Sequence, residues 1–241
     1  MGGFGRKVTA RAGRLNDHSL YTVDHYVREL AHVREQLGIG RLHLMGLSWG
    51  AMLAAEYMLR RRPEGIQSLI LCGPLLSAPL WERDQRKHLS QMPLEARRVV
   101  AAAEESGDFG EDYQRVMMDY YRRHVCRLNP WPDDLMEAFG ELNMDVYLAM
   151  WGPSEFTTTG ALKGADLLPR LAEIGQPTLL VCGEHDEAAP ETLEAFRDRL
   201  PRGEMAVLPN VSHCHHLEQP ALFRAVVRDF LARVERDRHA S

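Results

Sequence analysis

The chain has 241 residues, of which 45% are apolar and 26% are charged, and this composition excludes a disordered or fibrous protein. The formal net charge is −5 and the basic residues form no stripe, which argues against a nucleic-acid partner. No apolar stretch approaches the roughly 20 residues that span a bilayer, and no apolar segment of a secretory signal follows Met1. We therefore expect a cytoplasmic protein without a membrane partner. Its four scattered cysteines favour reduced thiols over a disulfide framework.

Short apolar runs alternate with amphipathic stretches along most of the chain. Their periodicity predicts, in chain order, a helix from Thr22 to Leu37, strand Leu42–Met45, helix Ala51–Arg62, strand Ser68–Cys72, strand Thr178–Cys182, helix Pro190–Leu200, strand Met205–Leu208 and helix Pro220–Val234. Residues 1–20 have little periodicity and are predicted to be irregular. Strands that alternate with helices favour a parallel sheet covered on both faces, which is an α/β fold.

A long polar segment interrupts this alternation. From about Leu75 to Gly160 the pattern predicts helices and no strand, and three of the four tryptophans lie here. We therefore expect residues 1–75 and 161–241 to form the core and residues 76–160 to form a helical insertion.

The pentapeptide Gly46-Leu47-Ser48-Trp49-Gly50 satisfies the Gly-x-Ser-x-Gly pattern of a nucleophile elbow. It lies between a predicted strand and a predicted helix, as a sharp turn with serine at its tip requires. We expect both glycines to make room for neighbouring backbone. The helix would direct its N-terminal dipole at Ser48, and Trp49 would supply one oxyanion-hole N–H.

Serine alone is a poor nucleophile, so a base and an orienting acid should follow at later strand ends. Asp186 comes after the strand Thr178–Cys182, and His213 comes after the strand Met205–Leu208. The carboxyl ends of parallel strands meet at one edge of the sheet, where Ser48 also lies. We therefore predict that Ser48, Asp186 and His213 form a catalytic triad.

Other polar residues in these loops have simpler interpretations. His185, beside Asp186, is expected to be a solvated loop histidine. The run from Ser212 to His216 could suggest a metal site, but no second ligand cluster accompanies it, so no metal is expected. Cys72, Cys182 and Cys214 are most simply thiols of the core.

Four segments together resemble the proline iminopeptidases of the α/β-hydrolase fold. They are Gly46–Gly50, Trp151–Phe156, Gly183–Pro190 and the stretch from Ser212 to Pro220, and the resemblance runs from about Tyr21 to the end. The family releases an N-terminal residue, preferably proline, from short peptides. The resemblance implies Ser48 as nucleophile, His213 as general base and then acid, and Asp186 as the orienting carboxylate, with no cofactor.

The resemblance also gives the helical insertion a role, as a lid over the substrate pocket. In the family a glutamate of the Gly-Pro-x-Glu-Phe segment binds the substrate's free amino group, and that position is Glu155 here. Glu187, next to the triad acid, is similar to its partner. An ammonium group that enters a partly dry cavity needs carboxylates to meet it. A solvated loop acid remains the alternative for either residue.

The start of the chain departs from the family pattern. Strands and a His-Gly-Gly-Pro-Gly loop, which gives the second oxyanion N–H, are expected ahead of Gly3–Arg6 and do not occur in this sequence. We therefore expect either that the start of the reading frame is missing or shifted, or that the chain is an N-terminally truncated homologue of low activity. Loss of one oxyanion donor reduces turnover by about 10²–10³-fold, and the strand before Ser48 would lose a neighbour.

The expected substrate is therefore a small peptide or an amino-acid amide. A serine peptidase that releases N-terminal proline is the first interpretation, and a prolinamide hydrolase is the nearest alternative. An esterase of small acyl substrates and a truncated remnant that only binds peptides or a partner also remain open.

Overall fold

A computed structural model describes residues 20–239 of the protein, except for the side chain of His239. The segment 1–19, which includes Gly3–Arg6 and all but the last residue of the stretch predicted to be irregular, lies outside the described residues. The elements are α1 Val23–Gln36, β1 Leu42–Leu47, α2 Trp49–Arg61, β2 Ile66–Cys72, α3 Ala78–Ser90, α4 Leu94–Ser106, α5 Glu111–His124, α6 Asp133–Gly140, α7 Met144–Met150, a 3₁₀ helix Leu168–Glu173, β3 Thr178–Gly183, α8 Pro190–Arg197, β4 Gly203–Leu208, α9 His215–Glu218 and α10 Pro220–His239.

The predicted strands and helices are all present, with shifts at their ends. Helix α2 begins at Trp49 rather than Ala51, because Ser48 itself occupies the N-cap position. Helix α8 ends three residues earlier than predicted, at Arg197, and α10 runs five residues further, to His239. The short helix α9 was not predicted, since its four residues are too few to show a period.

Among residues 20–239, four parallel strands form the sheet in the order β1-β2-β3-β4. The register places Leu71 opposite both Gly46 and Leu180, so that the carboxyl ends of the strands meet at one edge. Within the described residues β1 is an edge strand, and Met45 on it is half exposed. The loops after β1, β3 and β4 therefore start from neighbouring points.

Alternate side chains of the strands pack on opposite faces of the sheet. Leu69, Leu71 and Leu180 join the core formed with α1, α2 and α8, whereas Ile70, Leu179 and Val181 pack against α10. Helices on both faces explain why the strands are apolar on both sides.

The segment between β2 and β3 contains helices α3 to α7 and has a core of its own. The rings of Tyr113, Tyr120 and Phe156 are in contact at its centre. In the part of the chain that is described, no helix is both long enough and apolar enough to cross a membrane.

Candidate active site

The turn between β1 and α2 holds Ser48 in a strained backbone conformation. Its φ of 55° and ψ of −120° are rarely adopted by residues with a side chain. The Ser48 N–H donates to the carbonyl of Cys72 on the neighbouring strand (2.9 Å), which ties the turn to β2. These features are those of a nucleophile elbow.

The two glycines of this turn, Gly46 and Gly50, differ in how much space surrounds them. A Cβ at Gly46 would lie 2.2 Å from the carbonyl oxygen of Gly50, so this position requires glycine. A Cβ at Gly50 would meet nothing within 4 Å among the described residues. The expectation that both glycines make room is therefore wrong for Gly50 within this part of the chain, because the first turn of α2 crowds Gly46 while Gly50 faces open space.

Asp186 and His213 are brought together by the loops after β3 and β4. A hydrogen bond of 2.8 Å joins His213 Nδ1 to Asp186 Oδ1, and both side chains are buried. The backbone N–H groups of Gly183 (3.2 Å) and Ala188 (3.0 Å) donate to the two oxygens of Asp186. Burial raises the pKa of Asp186, but the charge and hydrogen bond of His213 outweigh this effect and leave the pKa below its usual value.

Gly73 lies between the serine turn and the imidazole. A Cβ at Gly73 would come within 2.5 Å of the His213 ring, and Gly73 follows Cys72, whose carbonyl accepts from the Ser48 N–H. Ser48 and His213 therefore lie on either side of the strand end at 72–73. Among the described residues no hydrogen bond joins Ser48 Oγ to His213, which is common for catalytic pairs in the absence of substrate.

Glu155, which follows α7, and Glu187, in the loop after β3, lie near each other and near His213. Glu155 Oε1 accepts from the hydroxyl of Tyr147 (2.8 Å), and the Glu155 carbonyl accepts from the indole N–H of Trp81 (2.9 Å). Glu187 is 1% exposed, and neither of its carboxylate oxygens has a hydrogen-bond partner among the residues that the structure describes. Its Oε1 lies 3.6 Å from His213 Nε2.

Both glutamates hold a proton more tightly than usual. Burial raises the pKa of Glu155, although the Tyr147 hydroxyl and His213 partly oppose the shift. Burial raises the pKa of Glu187 further, and the carboxylates of Glu155 and Asp186 raise it again. Two desolvated carboxylates that repel each other form a site suited to a cation.

A cavity of about 220 Å³ opens beside Ser48 and Glu155. Its wall is mainly apolar. Helices α5, α6 and α7 contribute Met117, Met118, Phe139, Tyr147 and Met150, and the remainder includes the turn around Ser48 and residues that follow α7. An apolar cavity with a few convergent polar groups is the usual form of a small-molecule site.

His215 is a neighbour of Asp186 that the sequence pattern did not indicate. Its buried Nδ1 lies 3.8 Å from Asp186 Oδ2, and burial lowers the pKa of His215 to about 4, so that it is neutral near pH 7. The neighbouring run of histidines suggested only a metal site. Within residues 20–239 no three His, Cys, Asp or Glu side chains converge as metal ligands.

The remaining predicted residues are placed as follows. Trp49 is buried at the first position of α2, directly after Ser48, and its ring packs edge-on against Tyr26. His185 is half-buried, and its carbonyl is in hydrogen-bond contact with His124 Nδ1 (2.9 Å). The four cysteines are buried and free.

Comparison with known proteins relates this arrangement to one family. A family profile described as the alpha/beta hydrolase fold matches residues 2–220. A proline iminopeptidase of Heyndrickxia coagulans is 39% identical over 223 residues, which are 92% of this chain and 77% of that protein. A proline iminopeptidase of Lactobacillus delbrueckii subsp. bulgaricus is 32% identical over 215 residues, which are 88% of this chain and 72% of that protein.

Two solved structures are also similar to this chain. The crystal structure of the proline iminopeptidase of Mycobacterium smegmatis superposes with a TM-score of 0.83 at 38% identity, covering 93% of this chain and 75% of that one. The protein VinJ superposes with a TM-score of 0.86 at 35% identity, covering 90% of this chain and 74% of that one.

Proposed function

The chain belongs to the proline iminopeptidase family of α/β-hydrolase-fold serine aminopeptidases, and we propose that it releases an N-terminal residue, preferably proline, from short peptides through an acyl-enzyme intermediate. The observation that carries this proposal is the buried carboxylate of Glu187, which has no hydrogen-bond partner among residues 20–239. An unsatisfied buried carboxylate is costly, and a substrate ammonium would compensate it.

The amino group would bind between Glu155 and Glu187. The Tyr147 hydroxyl fixes one carboxylate at 2.8 Å and Glu155 lies at the wall of the cavity that also contains Ser48. A substrate anchored by its free amine presents its first carbonyl at a fixed distance from that amine. Fixed acids near the nucleophile therefore favour removal of one residue over internal cleavage.

The proposed chemistry begins with attack of Ser48 Oγ on the first carbonyl of the peptide. His213 Nε2 takes the serine proton, and Asp186, bonded to Nδ1 at 2.8 Å, holds the ring and stabilises its charge. The N–H of Trp49 and the N-terminus of α2 would stabilise the developing oxyanion. His213 then gives its proton to the leaving amine.

Water completes the reaction. It attacks the acyl-Ser48 carbonyl while His213 takes a proton from it, and collapse of the second tetrahedral intermediate releases the free amino acid and returns the proton to Ser48. We propose that residues 76–160 form the lid of this site, because this segment supplies most of the residues that line the cavity. Closure by such a segment would keep bulk water from the acyl-enzyme.

Kinetics on L-proline p-nitroanilide test the proposal. Glu155→Gln and Glu187→Gln should each lower kcat/KM by about 10²-fold or more, since each leaves the ammonium partly unmet. Glu184→Gln is the matched control, because Glu184 is in the same loop but exposed, and it should change kcat/KM less than twofold.

Labelling of the folded enzyme with a fluorophosphonate tests the nucleophile separately. Covalent modification should occur at Ser48 and be lost in Ser48→Ala. A wild-type enzyme that resists labelling, or glutamate variants with unchanged kcat/KM, would contradict the proposal.

A further inference from the structure

The two acids of the loop after β3 are held in different ways. Asp186 is fixed through its own carboxylate by Gly183, Ala188 and His213. The carboxylate of Glu187 has no hydrogen-bond partner in the described part of the chain, so its direction depends there on the position of its main chain and on packing. Whatever holds the Glu187 backbone therefore sets where that carboxylate points.

Gln85 on α3 holds this backbone. Its Nε2 donates to the carbonyl of Glu187 at 2.9 Å, and its Oε1 accepts from the hydroxyl of Tyr120 on α5. Gln85 and Tyr120 are both fully buried. A buried amide without these partners would cost free energy of folding. The two hydrogen bonds that connect Tyr120, Gln85 and Glu187 are therefore a specific feature of the fold and not a chance surface contact.

Neighbouring positions of the loop are tied to the same helices. The N–H of Ala189 donates to Asp84 (3.3 Å), which precedes Gln85 on α3, and His124 at the end of α5 contacts the carbonyl of His185 (2.9 Å). Helices α3 and α5 thus hold the loop at residues 185, 187 and 189. Of these three contacts, the hydrogen bond from Gln85 is the one that holds the main chain of Glu187 itself.

We propose that Gln85 is a positioning residue that sets the Glu187 carboxylate for the substrate ammonium, an inference that rests on the proposed function. Loss of its amide frees the Glu187 backbone, and the carboxylate moves from the place where it meets the amine. Asp186 keeps its three hydrogen bonds, so reaction at Ser48 is preserved. Gln85 therefore acts on recognition of the free amine and not on acylation itself.

A double-mutant cycle tests this role. In Gln85→Met, an unbranched apolar side chain of similar length replaces the amide, and affinity for L-prolinol, an amine that is not hydrolysed, is measured by calorimetry. We expect Gln85→Met to weaken prolinol binding about tenfold and to raise KM for L-proline p-nitroanilide similarly, with kcat and the rate of fluorophosphonate labelling changed less than twofold. In a Glu187→Gln background it should weaken prolinol binding no further.

Tyr120→Phe tests the role of Gln85 without changing Gln85 itself. It removes the donor to Gln85 Oε1, and a smaller loss of prolinol affinity that also disappears in the Glu187→Gln background is expected. The proposal would be overturned if Gln85→Met weakened prolinol binding equally in the wild-type and Glu187→Gln backgrounds. A loss of fluorophosphonate labelling rate as large as the loss of prolinol affinity would also overturn it. Failure of the wild-type enzyme to be labelled or to bind prolinol would instead overturn the proposed function, on which this role depends.

Discussion

The carboxylate of Glu187 lies 3.6 Å from Nε2 of His213, the ring nitrogen opposite the one bonded to Asp186. In the proposed mechanism this same nitrogen takes the proton of Ser48. The proposed amine-binding site and the proposed base therefore lie side by side, and a bound ammonium would draw the Glu187 carboxylate toward itself.

Amine binding should release protons from the enzyme. Burial raises the pKa of Glu155 and of Glu187, so the empty pair keeps its protons to higher pH than ordinary carboxyl groups do, whereas a bound ammonium favours the ionised carboxylates. Affinity for L-prolinol should accordingly rise as pH increases through the acidic range toward the raised pKa values. Calorimetry in buffers of different ionisation enthalpy measures the protons released per amine bound.

Glu187→Gln serves as the control for this titration. It removes one of the two titrating carboxylates and should reduce proton release on binding. Proton uptake, or an affinity for prolinol that does not change between acidic and neutral pH, would contradict the expectation.

Gly73→Ala should inactivate the enzyme through the imidazole. The added Cβ would meet the His213 ring at 2.5 Å at a position whose φ is +47°, so the base must move. We expect kcat for L-proline p-nitroanilide to fall at least about 10²-fold, as expected when a catalytic group is displaced by about 1 Å. Near-normal kcat in this variant would show that His213 is not the base.

Gly107→Ala separates this effect from backbone strain. Gly107 also has a positive φ, +75°, but a Cβ there meets nothing within 4 Å among the described residues. Both variants should lose stability in thermal unfolding, while Gly107→Ala should keep the wild-type kcat.

The cavity predicts which leaving group the enzyme prefers. Its volume of about 220 Å³ and its apolar wall offer contacts beyond the first residue that a bare amide cannot use. Turnover of a Pro-x-x peptide and of L-proline p-nitroanilide should therefore exceed that of prolinamide in kcat/KM. A preference for prolinamide with peptides left intact would favour the amidase alternative.

Local sequence patterns predicted much of this site because the relevant physics is local. The Gly46–Gly50 pattern requires a strand before it and a helix after it, and apolar periodicity supplied both. Asp186 and His213 could be placed because loops after parallel strands share one edge of a sheet. For Glu155 the residues alone favoured a solvated loop acid, and the resemblance to a family was needed to indicate a role. For Glu187 the solvated acid and the amine-binding acid stayed nearly level.

Other features depend on distant packing and leave no local pattern. Gln85 and Glu187 are 102 positions apart along the chain, and nothing in the helix around Gln85 indicates its partner. Gly73 looks like an ordinary turn glycine until the His213 ring is placed beside it. His215 belongs to a run of polar residues whose burial behind Asp186 appears only in the folded chain.

Acid should destabilise the fold partly through His215. Its folded pKa of about 4 lies below the value of about 6.5 in an unfolded chain, so the unfolded state binds more protons between these values. The stability is fully present above pH of about 6.5 and is lost as pH falls toward 4. For this buried ring, which faces Asp186 and His213, the effect amounts to about 3 kcal/mol.

His215→Phe tests this linkage by removing the titrating group while keeping an aromatic ring. The ring of Phe223, 5.3 Å from that of His215, provides an apolar neighbour for the replacement. Urea midpoints measured from pH 7 to pH 4 should fall less steeply in the variant than in the wild type. A residual slope is expected, because burial also lowers the pKa of His124 and His216 to about 4. Identical slopes for the two proteins would mean that His215 is protonated with little cost in the folded state.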